Sequence, residues 1–252
     1  MLLAEDNPVN QEVAIGLLET LNCAVTVVEN GKEAVEAAAG GVFDLVLMDC
    51  QMPVMGGLEA TQAIRAADDR DKRLPIVALT ANDFEGARAE CVAAGMDDLL
   101  GKPFSRQDLF TLLQRWRPAP AAPQPAAPAA AAEPRTSSLD PVPLETLQAL
   151  DPGGERGLLQ RAITKFVDYA DESIARLADV VNKGDVADVS RIVHSLKSSS
   201  ANLGAADVAR QCAELEKLTA DGALPDDIDQ RLTALQNAHE AAKRDLLLLA
   251  EA

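Results

Sequence analysis

Residues 44–57 read DLVLMDCQMPVMGG, a short apolar run that ends on a carboxylate, Asp49, and continues into a turn. The run from Leu45 to Met48 is typical of a strand in a parallel sheet, where short apolar segments alternate with helical patterns. The proline at position 53 and the glycines at 56 and 57 indicate a turn. The stretch therefore predicts a buried strand that delivers Asp49 to one edge of a sheet.

The same alternation continues on both sides of that stretch. The other predicted strands are Leu2 to Ala4, Ala24 to Val28, Ile76 to Leu79 and Leu99 to Leu100. Asn7 and Ser105 are the expected N-caps of two of the helices. Five repeats predict an α/β doubly wound sheet of five parallel strands, with ligands at the carboxyl ends of the strands. The helical patterns lie at Pro8 to Leu21, Lys32 to Ala39, Leu58 to Ala67, Phe84 to Ala93 and Arg106 to Trp116.

Residues 118–134 differ in composition from the segments around them. They read PAPAAPQPAAPAAAAEP, with six prolines and nine alanines, and such a segment neither buries a specific face nor sustains a helix. We interpret it as a linker between a first domain, residues 1–117, and a second, residues 135–252. Because proline-rich segments favour extended polyproline II, this linker can span up to about 50 Å.

The second domain shows no alternating strand pattern. Its apolar residues recur with the helical period, and glycines at 153, 154, 184, 204 and 222 mark the breaks. Long helices joined by short breaks predict an all-α antiparallel helix bundle. The predicted helices are Pro143 to Leu150, Arg156 to Lys183, Asp185 to Leu203, Ala205 to Ala220 and Asp226 to Ala250.

Composition argues against several classes of protein. The 252 residues include 23 Lys and Arg against 40 Asp and Glu, a formal net charge of −17, so we expect no binding to nucleic acid. The longest apolar run, Leu246 to Ala250, is far shorter than the roughly 20 residues of a membrane span. From that run we expect no contact with a membrane. The four cysteines have no CxxC spacing, so we expect reduced thiols, as in a cytoplasmic protein.

Polar residues follow four of the predicted strands, and all should meet at one edge of the sheet. Three of them are carboxylates, which repel one another unless a hard cation lies among them, and oxygen ligands suit Mg²⁺. A lysine and a hydroxyl beside that cation complete a phosphoryl-transfer site in which Asp49 is the nucleophile. The alternative is a scatter of surface charges without a shared role. The residues are Glu5, Asp6, Asp49, Thr80 and Lys102.

Segments around these residues resemble the receiver domain of response regulators and hybrid kinases, over residues 1–117. The resemblance implies a flavodoxin-like fold with Asp49 as the phosphoacceptor. It also implies that Glu5 and Asp6 hold Mg²⁺ with the backbone carbonyl of Gln51, and that the hydroxyl of Thr80 and the ammonium of Lys102 contact the phosphoryl group. The matching segments are AEDNPVNQEVA (4–14), DLVLMDCQMPVMGG (44–57), VALTAND (77–83) and GMDDLLGKPF (95–104).

The second domain holds both histidines of the chain, His194 and His239. His194 lies opposite the apolar stripe of its predicted helix, so we expect it to face solvent. His239 falls close to the apolar stripe of the last helix, and we expect it in the core or at its rim. Lys197 follows His194 by one turn and can reach the oxygens of a phosphoryl group on the imidazole. His194 is therefore the candidate for intermolecular chemistry.

The string HSLKSSSANLGA (194–205), with Phe166 upstream and CAELEKL (212–218) downstream, resembles the histidine phosphotransfer domain, a helical bundle without kinase activity of its own. The resemblance covers about residues 139–250. That family commonly has glycine after the lysine, where this chain has Ser198, a small residue that should still permit docking.

The two resemblances predict a phosphorelay intermediate of a two-component system, as at the C-terminal end of hybrid sensor kinases. Asp49 would accept phosphate from an upstream histidine kinase, and His194 would pass it to the receiver domain of a downstream response regulator. No stretch resembles an ATP-binding kinase domain, so we expect a phosphotransfer protein or a fragment of a hybrid kinase. Two alternatives remain: a phosphorylation-sensing adaptor whose bundle only binds partners, and a sink in which phosphate flows from a downstream regulator to Asp49.

Overall fold

The computed structural model describes residues 1–67, 73–80, 84–116, 139–151, 153–154 and 157–250, except the side chains of residues 84–87. The predicted linker, residues 118–134, lies outside the described residues. The domain boundaries proposed from composition therefore stay predictions.

The first half is a five-stranded parallel sheet in the order β2-β1-β3-β4-β5. The predicted doubly wound, flavodoxin-like sheet is confirmed, and the strand ends differ from the prediction by at most two residues. The strands are β1 (Leu2–Ala4), β2 (Thr26–Val28), β3 (Val46–Asp49), β4 (Ile76–Thr80) and β5 (Asp98–Gly101). The helices are α1 (Pro8–Glu19), α2 (Gly31–Gly40), α3 (Gly57–Ala67), α4 (Phe84–Ala94) and α5 (Arg106–Trp116).

The three central strands, β1, β3 and β4, are buried, which is why they are apolar up to their last residues. Leu3 and Leu47 belong to the core beneath α1 and α5, whereas their chain neighbours Leu2 and Met48 belong to the core beneath α2, α3 and α4. This alternation is the two-residue period of a strand. Because both faces are covered, polar side chains of the sheet are left to the strand ends.

The first helix begins directly after the acidic pair at the end of β1. The side chain of Asn7 accepts hydrogen bonds from the backbone N–H groups of Val9 (2.9 Å) and Asn10 (3.3 Å), so the predicted N-cap is confirmed. At the start of α5, Ser105 Oγ accepts a hydrogen bond from the N–H of Asp108 at 3.2 Å, which confirms the second predicted cap. Both caps fix the chain where it leaves the sheet edge.

The second half is helical, as predicted. Helices α7 to α10 pack against one another around Phe166, Leu196 and Leu246, and α6 lies against α7 and α8. Among the described residues, no helix combines the length and the apolarity that a membrane crossing requires. The helices are α6 (Pro141–Leu150), α7 (Leu158–Lys183), α8 (Val186–Asn202), α9 (Ala206–Thr219) and α10 (Ile228–Ala250).

Helix α1 is buried on two sides. One side packs on the sheet and α5, and the other packs on α7 and α8 of the bundle. At Gly16 an added Cβ would lie 2.8 Å from Cδ2 of Leu158, at the start of α7, so the two helices approach closely there. The apolar core under α1 and the core of the bundle consequently form one continuous cluster.

The turn after α8 offers a test of the bundle. Gly204 has a φ of +70°, and an added Cβ would lie 2.1 Å from the backbone oxygen of Asp140. Gly204→Ala should lower the free energy of unfolding by about 2 kcal/mol or more, measured by urea denaturation of the full chain. The matched control is Gly184→Ala, where φ is +69° but nothing lies within 4 Å of the added Cβ. Equal losses for the two variants would contradict the close approach of the Gly204 turn to α6.

Candidate functional site

The polar residues predicted at strand ends lie together at the carboxyl edge of the sheet. Glu5 and Asp6 follow β1 and Asp49 closes β3, and one carboxylate oxygen of each lies within 4.8 Å of the others. These three residues are called the acidic cluster below. Thr80 closes the neighbouring strand β4, and Lys102 follows β5.

Lys102 is the cation of this edge. Its Nζ donates a hydrogen bond to Oδ2 of Asp49 at 2.6 Å and another to Oε2 of Glu5, and 5% of its side chain is exposed. Burial alone would lower the pKa of Lys102, but the charges of Asp49 and Glu5 outweigh it and hold the pKa above its usual value. The lysine is therefore positively charged and fixed against the acidic cluster.

One ammonium does not balance three carboxylates, of which Glu5 and Asp49 are buried and Asp6 is partly buried. Burial, followed by the charge of Asp49, raises the pKa of Asp6 to about 6. Burial also raises the pKa of Glu5, although Lys102 opposes the shift. The cluster is thus short of positive charge, and a small oxygen-seeking dication such as Mg²⁺ fits it. The backbone N–H of Gln51 donates to Oδ1 of Asp49 at 3.2 Å, so the residue expected to add a carbonyl ligand lies beside the cluster.

Asn10 of α1 links the acidic cluster to the bundle. Its amide nitrogen donates to Oε1 of Glu5 at 3.0 Å and to Oγ of Ser198 at 3.3 Å. Its oxygen accepts a hydrogen bond from Asn202 at 2.9 Å. Since Ser198 and Asn202 both belong to α8, that helix is held directly over the sheet edge.

His194 lies on the part of α8 that faces this edge. With Asp49 it lines two adjoining cavities, one that includes Lys102 and one that includes Thr80, and the two together are called the cleft below. The expectation that His194 faces solvent is wrong, because 14% of its side chain is exposed. Helical periodicity placed the residue off the apolar stripe of α8, but the first half of the chain covers that face.

Glu216 of α9 orients His194. One carboxylate oxygen lies 2.5 Å from Nδ1 of His194, and the other accepts a hydrogen bond from Nζ of Lys197. Burial opposes ionisation of Glu216, but the hydrogen bonds from His194 and Lys197 outweigh it and lower its pKa to about 2. An ionised carboxylate at Nδ1 fixes the ring proton there, which leaves the lone pair on Nε2.

Sequence reasoning missed the role of Glu216, although this residue lies inside the CAELEKL string. Its partners are 19 and 22 positions away on a different helix, so no periodicity links them. Only the packing of α9 against α8 brings the three side chains together.

His239 has a different environment. It is 2% exposed, its Nε2 lies 2.6 Å from Oδ1 of Asp171, and its ring meets Phe166 edge-on at a centroid distance of 6.2 Å. The prediction of a core histidine is confirmed. Its ring is enclosed by the bundle, so it has no path to a partner domain.

Comparison with known families agrees with this geometry. Residues 1–114 match the response regulator receiver domain family, and residues 161–245 match the Hpt domain family. The chain therefore carries a receiver domain followed by an Hpt domain, the two kinds of domain that exchange phosphate in two-component phosphorelays.

Individual relatives match about half of the chain. Sensor protein GacS of Pseudomonas syringae pv. syringae is 44% identical over 118 residues, which are 46% of this chain and 13% of that protein. The chain thus spans a small part of that relative. The receiver domain of sensor histidine kinase PA1611 from Pseudomonas aeruginosa PAO1, with a magnesium ion coordinated in its active site cleft, is 50% identical (46% of this chain, 93% of that chain, TM-score 0.43). A chain of the Saccharomyces cerevisiae Ypd1 complex with the Ssk1 receiver domain is 30% identical. That match covers 46% of this chain and 86% of the other, with a TM-score of 0.43.

Binding of Mg²⁺ to the acidic cluster should depend on pH. Protons compete with the metal as the pH falls through the raised pKa values of Glu5 and Asp6, because both must be ionised to bind it. Calorimetric titration of the full chain with MgCl₂ should give an affinity about tenfold or more weaker at pH 5.5 than at pH 8. Asp6→Asn should weaken binding at pH 8 and flatten the pH dependence. An affinity that is constant across this range would contradict the assignment.

Proposed function

We propose that the chain relays phosphate between two stations of a two-component pathway. Asp49 accepts a phosphoryl group from an upstream histidine kinase, and His194 takes it from Asp49 and passes it to the receiver domain of a downstream response regulator. The observation that carries this proposal is the cleft that Asp49 and His194 line from opposite domains. In this proposal the chain and the partner domains with which it exchanges phosphate are cytoplasmic.

Asp49 is the nucleophile of the first step. Its carboxylate oxygen attacks the phosphorus of the kinase's phosphohistidine, the P–N bond breaks, and the imidazole leaves with the electron pair. Mg²⁺ held by the acidic cluster and the Gln51 carbonyl would supply charge neutralisation at the phosphoryl oxygens. Lys102, already hydrogen-bonded to Asp49, and Thr80, at the end of the neighbouring strand, contact the remaining oxygens.

His194 is the nucleophile of the second step. The lone pair of Nε2 attacks the phosphorus of the aspartyl phosphate, the P–O bond breaks, and Asp49 recovers its carboxylate. The ring then bears the phosphoryl group on Nε2 and a proton on Nδ1, so it carries a positive charge. Glu216 stabilises that charge through Nδ1, while Lys197 pairs with the phosphoryl oxygens.

The two alternatives use the same residues differently. In an adaptor the bundle only binds partners, and a carboxylate that holds His194 in one tautomer would have no purpose. In a phosphate sink the second step runs in reverse, from phosphorylated His194 to Asp49, followed by hydrolysis. Phosphoryl exchange between the two residues is common to the relay and the sink, and the partners decide its direction.

A phosphoryl group that enters at Asp49 should be transferred to His194 and remain on it. The full chain, incubated with acetyl phosphate and Mg²⁺, should form a base-labile aspartyl phosphate first and a base-stable phosphohistidine afterwards. Asp49→Asn should abolish both products, and His194→Gln should abolish the second alone. The matched control, His239→Gln, should keep both, because that ring lies inside the bundle. Base-stable label in the His194→Gln chain, or none in the unaltered chain, would contradict the relay and favour the adaptor.

A further inference from the structure

Away from the phosphoryl cleft, the two domains are joined by a group of charges. Glu12 of α1 accepts hydrogen bonds from Nε of Arg161 at 2.8 Å and from Nζ of Lys165 at 2.6 Å. Both cations belong to α7 and lie one turn apart. Neither lines the cleft around Asp49 and His194, so this group is separate from the chemistry.

Glu12 is the buried member of the group. Its side chain is 10% exposed, against 52% for Arg161 and 40% for Lys165. Burial would raise the pKa of Glu12, but the hydrogen bonds from Lys165 and Arg161 outweigh it and hold the pKa below its usual value. The carboxylate is therefore ionised in a largely desolvated position, and it depends on both cations.

A buried charge of this kind discriminates between partners. A bundle that lacked the cations would remove Glu12 from water without pairing it, and such an unpaired charge costs far more than a matched pair gains. The other polar contacts between the domains are less selective. Asn7 donates to Ser195 at 2.9 Å, Asn10 donates to Ser198 at 3.3 Å and Asn202 donates to Asn10 at 2.9 Å, and all three are contacts between neutral groups.

We propose that Glu12, Arg161 and Lys165 form an ion-pair clamp that selects this helical bundle as the docking partner of this receiver domain. The proposal rests on the proposed function, since it assigns the residues that direct phosphate from Asp49 to the bundle of the same chain. The clamp acts on partner choice, through the contact of α1 with α7. Any bundle docking here needs two cations one turn apart on the helix that meets Glu12.

Charge reversal followed by restoration tests the clamp in the full chain. Glu12→Arg places three cations together, and the pair Arg161→Glu with Lys165→Glu places three carboxylates together. Each change should slow transfer from Asp49 to His194 by about tenfold or more, expressed per phosphorylated Asp49. The three substitutions combined pair a cation on α1 with two carboxylates on α7. This variant should transfer phosphate at a rate within about threefold of that of the unaltered chain.

A matched control and a second readout separate the clamp from general damage. Glu36→Arg makes the same charge change at an exposed position of α2, which packs on α3 and the sheet, and it should leave the transfer rate unchanged. Amide hydrogen exchange over residues 9–18 of α1 reports docking without any phosphate. Protection there should fall in Glu12→Arg and return in the combined variant.

The outcomes distinguish the clamp from the relay. If the unaltered chain transfers phosphate but Glu12→Arg changes neither the rate nor the protection of α1, the clamp is overturned and the relay stands. If the combined variant stays as slow and as unprotected as the single reversals, the residues serve only local stability and the clamp is again overturned. If the unaltered chain transfers no phosphate, but the amide protection of α1 falls in Glu12→Arg and returns in the combined variant, the relay fails and the clamp stands as a docking element.

Discussion

Helix α1 is held on two sides, by the receiver sheet and by helices α7 and α8, and the geometry of the site follows from that double contact. The helix starts at the acidic cluster, because Asn7 caps it directly after Glu5 and Asp6. A helix packed along the start of α1 is therefore brought to the carboxyl edge of the sheet. Helix α8 occupies that position, and this places His194 on the cleft that Asp49 lines.

Apolar and charged contacts have different effects at this junction. The close approach of Leu158 to Gly16 extends one apolar core through both domains and supplies the burial. The buried ionised groups contribute little net stability, because desolvation offsets most of the attraction within each pair. They fix the arrangement instead: the carboxylate of Glu12 on α1 is paired with Arg161 and Lys165 only when α7 is packed as observed.

The sheet and the acidic cluster were predictable from the sequence, because the ends of parallel strands must meet at one edge whatever the loops do. The docking of the two domains was not. The second face of α1 includes Asn10, Glu12 and Gly16, two polar residues and a glycine, which in a sequence indicate exposure to solvent. For the same reason His194 was expected in water. Hydrophobic periodicity finds apolar contacts, and it does not find the contacts that amides, hydroxyls and ion pairs make across the same interface.

Docking within one chain has a kinetic signature, because a tethered partner is present at an effective concentration of about millimolar, independent of the bulk concentration. The decisive measurement is the rate of transfer from Asp49 to His194 as the protein is diluted from about 10 to about 0.1 micromolar, beside a mixture of Asp49→Asn and His194→Gln chains. Docking through α1 predicts a first-order rate that does not change on dilution, and a mixture that is far slower. A rate that falls in proportion to concentration, or a mixture as fast as the intact chain, would contradict it.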